Sequence, residues 1–179
     1  MKNKILHILL FFSLSNFIYF NGYAAEQFNF DVTEVEILND GNIIKGLKKG
    51  TVTTDDNITI IADTFIYDKL SNILTANGNV EIIDPNQDLK IYSDNAVYQK
   101  NNEIINTYRN SKAVYGVGKF IYAETFKVFR NKNILNAKGN VKIKNTIDDH
   151  LITGDDFTYF KNSEEIISKG ETKALIQSR

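Results

Sequence analysis

The 179-residue chain contains no cysteine. That absence removes disulfides, thiolate metal sites and cysteine nucleophiles together. Histidine is almost as scarce. His7 lies in an apolar N-terminal run, so His150 stands alone in the body of the chain, which nearly excludes a Ser-His-Asp triad and a histidine-rich metal site. The single proline, Pro85, falls in the polar cluster "DPNQD", where it takes no hydrogen bond from a strand ladder. Charge of one sign is also lacking. With 21 basic and 22 acidic residues the formal net charge is −1, and without Lys2 and Lys4 the balance is 19 against 22, or −3. Nucleic acid would need a clustered basic surface, so it is not expected as a partner. Finally, no apolar series at 3.6-residue spacing is sustained for the ten or so residues of a helix.

What is present is ordinary for a globular protein: 42% apolar and 24% charged residues, which argues against wholesale disorder. The N-terminus stands apart. Met1 to Lys4 is short and basic, Ile5 to Phe20 is mostly apolar, and Gly22-Tyr23-Ala24 places small residues before Ala25. This pattern predicts a secretory signal peptide over residues 1–25 and a single exported domain over 26–179. An uncleaved anchor is the alternative, although the run is short for roughly 30 Å of hydrocarbon.

The body of the chain repeats. "ILTANGNVEIID" from Ile73 and "ILNAKGNVKIKN" from Ile134 share seven of twelve positions. A shift of about half that distance also aligns "ADTFIYDKLSNIL" from Ala62 with "SDNAVYQKNNEII" from Ser93 and "GDDFTYFKNSEEII" from Gly154. Acidic residues therefore recur at Asp63, Asp94, Glu124 and Asp155, and a weaker unit with Asp31 and Gly50 precedes them. The spacing predicts five stacked units of about thirty residues.

Each unit reads as two β-strands and a turn. Val80 and Ile82 flank Glu81, Val141 and Ile143 flank Lys142, and "DKLSN", "QKNNE" and "RNKN" are polar turn clusters. Apolar or small residues keep one parity up to each acidic position, as Ile91 and Ser93 do, and take the opposite parity after it, as Ala96 and Tyr98 do. A strand presents one face per parity, so each switch requires a bulge or corner. Asp63, Asp94, Glu124 and Asp155 are accordingly expected at bends, satisfying backbone donors there, and stacked bends make a folded-over pair of sheets. Gly78 and Gly139 of the "GNV" phrases are expected to allow positive φ at the next corner.

The alternating "A-x-G-N-V-x-I" and "I-x-[AST]-D-x-[FA]-x-Y" elements, here "TANGNVEI" with "LKIYSDNAVY" and "NAKGNVKI" with "LITGDDFTYF", resemble the OstA-like periplasmic domain family over roughly Phe30 to Ala174. That family includes the lipopolysaccharide-transport bridge protein LptA, the N-terminal domain of the translocon LptD and, more distantly, LptC. The resemblance implies an all-β fold, an open β-jelly roll of stacked antiparallel strands whose apolar interior shields lipid A acyl chains. It also implies a periplasmic, non-enzymatic role in bridging inner to outer membrane, lipopolysaccharide as ligand, no cofactor, and edge-strand addition to LptC-like and LptD-like partners or head to tail between copies. An N-terminal fragment of the translocon is the alternative within the family.

The inward series that would line such a groove is Phe65, Tyr67, Val80, Ile82, Ile91 and Tyr98, continued by Phe126, Val141, Ile143, Phe157 and Tyr159. An acyl chain kept dry is worth about 0.8 kcal/mol per CH₂. The same alternation also makes an ordinary sealed core, so a structural β-solenoid without ligand stays open as a reading. An exported polysaccharide hydrolase would require a close carboxylate pair, which no spacing here supplies. Calcium would require more oxygen ligands than one acid per thirty residues. Lys45, Lys48, Lys49, Arg109, Lys112, Lys138, Lys142 and Lys144 point mostly outward, as a solvated face or as contacts for lipid A phosphates at the rim. "DVTEVEIL" from Asp31 and "TKALIQ" from Thr172 are expected as the first and last strands, whose unpaired edges could add a partner's strand.

Overall fold

A computed structural model describes residues 28–176. The expected signal peptide lies outside the described residues. Six short strands come first: β1 (Phe28–Val32), β2 (Val35–Leu38), β3 (Ile43–Gly46), β4 (Gly50–Thr54), β5 (Thr59–Ala62) and β6 (Thr64–Asp68). Six long ones follow: β7 (Ile73–Asp84), β8 (Leu89–Gln99), β9 (Ile104–Tyr115), β10 (Lys119–Phe129), β11 (Ile134–Asn145) and β12 (His150–Phe160). Two short strands, β13 (Glu165–Lys169) and β14 (Lys173–Ile176), complete the described chain. All pair antiparallel in one sheet of fourteen strands, each long strand beside its sequence neighbours.

That sheet is folded in two along a line of bulges. Pairing skips residues between Asn77 and Val80, between Tyr92 and Asn95, between Ala123 and Thr125, and between Lys138 and Val141. Each bulge switches the buried parity, as the sequence pattern requires. In the Asp63 unit the break is complete, with Asp63 standing between β5 and β6. One leaf consists of β1, β4, β5, the halves of β7–β12 on one side of the bend, and β14. The other consists of β2, β3, β6, the remaining halves, and β13. The bends form a spine. The turns of both leaves face each other across the opposite side, as two lips of a mouth. This is the open β-jelly roll expected from the sequence.

The leaves are joined by their apolar inner faces. Phe28 of the first leaf packs edge-on against Tyr67 and Tyr98 of the second, with ring centroids at 4.7 and 5.9 Å, and Tyr115 meets Tyr159 in the same way at 5.2 Å. Beside the spine the first leaf carries small side chains, Ala62, Ser93 and Ala123, with Gly154 in the last unit. A Cβ on Gly154 would lie 2.8 Å from the Phe157 ring, so glycine there lets the ring fold over the bend. The expected first strand is divided: "DVTEVEIL" breaks at Thr33-Glu34, which sends β1 and β2 into different leaves. At the other end β13 and β14 divide in the same manner about Gly170, whose φ is +95°.

Candidate functional site

At the spine, the acidic residues meet asparagine from the next strand. Asn79 Nδ2 donates to Asp63 at 2.8 Å, Asn110 Nδ2 to Asp94 at 2.9 Å and Asn140 Nδ2 to Glu124 at 2.7 Å. The carboxylates thus accept side-chain amides, where backbone donors were expected. Gly78 and Gly139 have positive φ, +76° and +79°, but they lie in the same bend as the preceding acid rather than at the next corner. A Cβ on Gly78 would come within 2.4 Å of Asp63 Oδ2, and one on Gly139 within 2.6 Å of Glu124 Oε2, so the acids occupy the space a side chain would fill. β9 breaks the rule. Arg109, at φ +65°, holds the glycine position beside Asn110. Asp155 is exposed in the last bend.

The eleven residues of the expected groove are all buried in one cluster. Over the first two-thirds of the stack the two faces fill the interior: Phe65, Ile91 and Tyr98 are at most 1% exposed. The mouth over this part is closed by charge. Arg130, at the end of β10 in the second leaf, donates from Nε to Asp84 of the first leaf at 2.7 Å and from Nη1 to Asp56, also of the first leaf, at 2.7 Å. Nη1 also reaches Glu103 and, at 2.9 Å, the Tyr98 hydroxyl. Lys100 crosses the same gap to Asp55 at 3.0 Å and Asp56 at 2.7 Å. Gln87 Nε2 donates to the Arg130 carbonyl at 2.6 Å. Asp84 is fully buried and Arg130 nearly so.

Electrostatics favours this latch. Burial works against the charged form of Asp56, but hydrogen bonds from Lys100, Thr54 and Arg130 outweigh it and hold the carboxyl far below the usual range. Burial likewise opposes charge on Lys100 and Arg130. The carboxylates of Asp56 and Asp55 outweigh it at Lys100, and that of Asp84, with Asp56, does so at Arg130; both cations stay charged. Burial is also the main reason that Tyr98 and Tyr115 are pushed up, so both remain neutral phenols.

Toward β12–β14 the packing opens. A cavity of about 180 Å³ lies between the leaves, lined by Tyr115, Ile121, Ile143, Ile152, Tyr159 and Ile166, with Lys119, His150 and Glu164 at its rim. The apolar floor comes from both leaves, and the lips above it are joined by Lys119 to Glu164 at 2.5 Å and by Lys161 to the Gln87 carbonyl. The nearby carboxylate of Glu164 raises the Lys119 pKa. Of the expected groove, Ile143 and Tyr159 line this cavity, whereas the other nine belong to the packed interior. Ile152 belongs to the inward series read from the sequence but not to the expected groove, and the sequence does not single out Ile166 or the latch. Ile152 had the right parity, but the turn charges of the latch carry no local signal of pairing.

The stack also exposes apolar residues at both ends. Ile37 on β2, in register with the inward Ile44, is 63% exposed, and Ile176 on β14 is 68% exposed. Each of β1, β2, β13 and β14 pairs with one neighbour in the sheet.

These features define a class: a folded-over β-jelly roll, latched along most of its mouth, with an apolar cavity near its C-terminal end. Among solved structures the chain is similar to LptH of Pseudomonas aeruginosa, described as the LptA-homologous periplasmic component of the lipopolysaccharide transport device. The likeness has a TM-score of 0.59 at 13% identity and covers 69% of this chain and 97% of that one. The chain therefore has the LptA-like fold. No protein-family model matches the sequence, and no curated relative does.

Proposed function

We propose that this protein is an exported, periplasmic, non-enzymatic component of lipopolysaccharide transport, taking acyl-chain ends of lipid A into the cavity beside β12–β14. The observation that carries the reading is an apolar cavity shared by both leaves at an end of a jelly roll of the LptA-like fold. At about 180 Å³ it is comparable to an engineered cavity of about 150 Å³ that takes up benzene, so it suits the end of a chain rather than a whole lipid. A longer chain would part the lips, which at this end are held by the exposed Lys119–Glu164 pair, a weak contact of about 0–1 kcal/mol. The edges of β13 and β14 would receive β1- and β2-type edges of a second copy or of LptC-like and LptD-like partners, extending the apolar interior. The test is lipopolysaccharide binding by the purified protein. Ile166→Glu should lower affinity at least about tenfold while leaving the fold intact, and sugar stripped of its acyl chains should not bind. Equal binding of the stripped sugar would reject the reading.

A second reading is favoured by the packed interior around Phe65 and Tyr98, which leaves no room for a ligand there. In that reading the first two-thirds of the stack is a rigid spacer, and the lipid path is confined to the last units.

A further inference from the structure

We propose that the outer face of the first leaf is a docking surface for an anionic phospholipid bilayer. The face is a lattice read directly from the strand register. One row runs Tyr92, Lys112, Tyr122, Lys142 across β8 to β11, each opposite the next. The adjacent row runs Val114, Phe120, Lys144, Leu151 across β9 to β12, with Lys90 opposite Val114. Strand parity makes all of these outward, because Ile91, Ala113, Ile121 and Ile143 between them are buried. With neighbouring strands about 4.8 Å apart, cations and rings alternate over roughly 14 Å in the first row, and the second row spans roughly 19 Å.

Charge sets this face apart. Across the leaf its outward strand positions hold five lysines (90, 112, 142, 144 and 173) and two acids, Glu81 and Asp31, so 5 − 2 gives +3 on a chain of net −1. Glu81 stands directly opposite Tyr92 on the neighbouring strand. None of the five lysines is ion-paired among the described residues, in contrast to Lys100, Lys119 and Lys138. On the other leaf, β7–β13 present Lys127, Lys138 and Lys169 against Asp156 and Glu165, which is nearly neutral, and Lys138 is paired with Asp156. Lys112 lies over three rings at once, 5.6 Å from Tyr92, 5.3 Å from Phe120 and 5.9 Å from Tyr122. Its ammonium is thus held over an aromatic cluster, part-buried at the centre of the face.

Lysines and tyrosines in alternation on one sheet face match the headgroup layer of an anionic membrane. The cations meet lipid phosphates, and the amphipathic rings settle at the interface. Seated this way, the protein would lie along the bilayer with its neutral leaf outward and both ends of the stack free. The contact uses the outer face of the leaf, and of its lysines only Lys144 also borders the interior cavity.

The experiment is vesicle flotation of the whole protein with phosphatidylglycerol–phosphatidylethanolamine vesicles free of lipopolysaccharide, and with pure phosphatidylcholine. Binding to the first alone is expected. It should fall roughly 25-fold or more in Lys112→Glu/Lys142→Glu, at about fivefold for each cation lost. It should also vanish in about 1 M salt, where the Debye length is near 3 Å. Lys127→Glu/Lys169→Glu on the other leaf should bind as the parent does, and circular dichroism would verify that both double variants fold. Absence of binding to the anionic vesicles would overturn the proposal, as would binding that the first double variant leaves unchanged. Capture by a soluble acidic polysaccharide but not by vesicles would overturn it in favour of a glycan.

Discussion

At Arg130, one guanidinium spans the mouth and touches carboxylates of both lips. Removing it strands Asp84, which is fully buried, so Arg130→Ala should cost about 3–5 kcal/mol in urea unfolding. Replacing the pair together, as Arg130→Met with Asp84→Leu, should cost far less, because no uncompensated charge remains. Asp56 gives the latch its pH dependence. Its folded pKa is depressed, so its contribution is fully present above the unfolded value of about 3.9 and is lost as pH falls below it. Thermal melting should therefore begin to drop as pH falls through about 4 and keep dropping at lower pH. Asp56→Asn should melt lower at pH 7 yet lose less on acidification. Arg109 offers an opposite case. It sits at φ +65°, where the neighbouring units place Gly78 and Gly139, and relief of a left-handed side chain is worth about 1 kcal/mol. Arg109→Gly should accordingly stabilise the protein by about that amount, read from the urea midpoint. None of the latch was legible in the sequence. Arg130, Lys100 and Asp84 sit in turn clusters that read as solvated, and Arg130 finds Asp56 across 74 positions of chain.

The elements themselves were legible, since period-2 alternation and its switch at Asp63, Asp94, Glu124 and Asp155 are properties of each strand and its bend. The division of the ends was not. "DVTEVEIL" reads as one strand, but a bend with no long strand beyond it leaves β1 and β2 as separate edges of the two leaves. The same division of β13 and β14 gives the stack two edges and an apolar patch at each end. Self-association should follow, growing with concentration in sedimentation velocity. Ile37→Lys or Ile176→Lys should each reduce it, since both side chains are mostly exposed in the single chain and neither change should lower the melting temperature appreciably. Unchanged association in both would place the contact elsewhere.

For the whole molecule, the folded sheet behaves as a clasp of uneven closure. The sequence pattern identified the inward residues along its entire length, and they are inward, but pattern alone treats all units alike. Closure depends on volume and on pairing between distant turns: Phe28, Tyr67 and Tyr98 fill the first part under the Arg130 latch, whereas Ile121, Ile143, Ile152 and Ile166 leave space near the end. The central claim is that lipid enters only there. Benzoyl-phenylalanine placed at Ile152 or Ile166, in separate variants expressed in cells making lipopolysaccharide, tests it most directly, with Tyr98 as the packed position and outward Lys142 as the control. Crosslinks to lipopolysaccharide at Ile152 and Ile166 but not at Tyr98 or Lys142 are predicted. No crosslink at either isoleucine in folded protein would contradict the account, as would crosslinking at Tyr98 equal to that at Ile152.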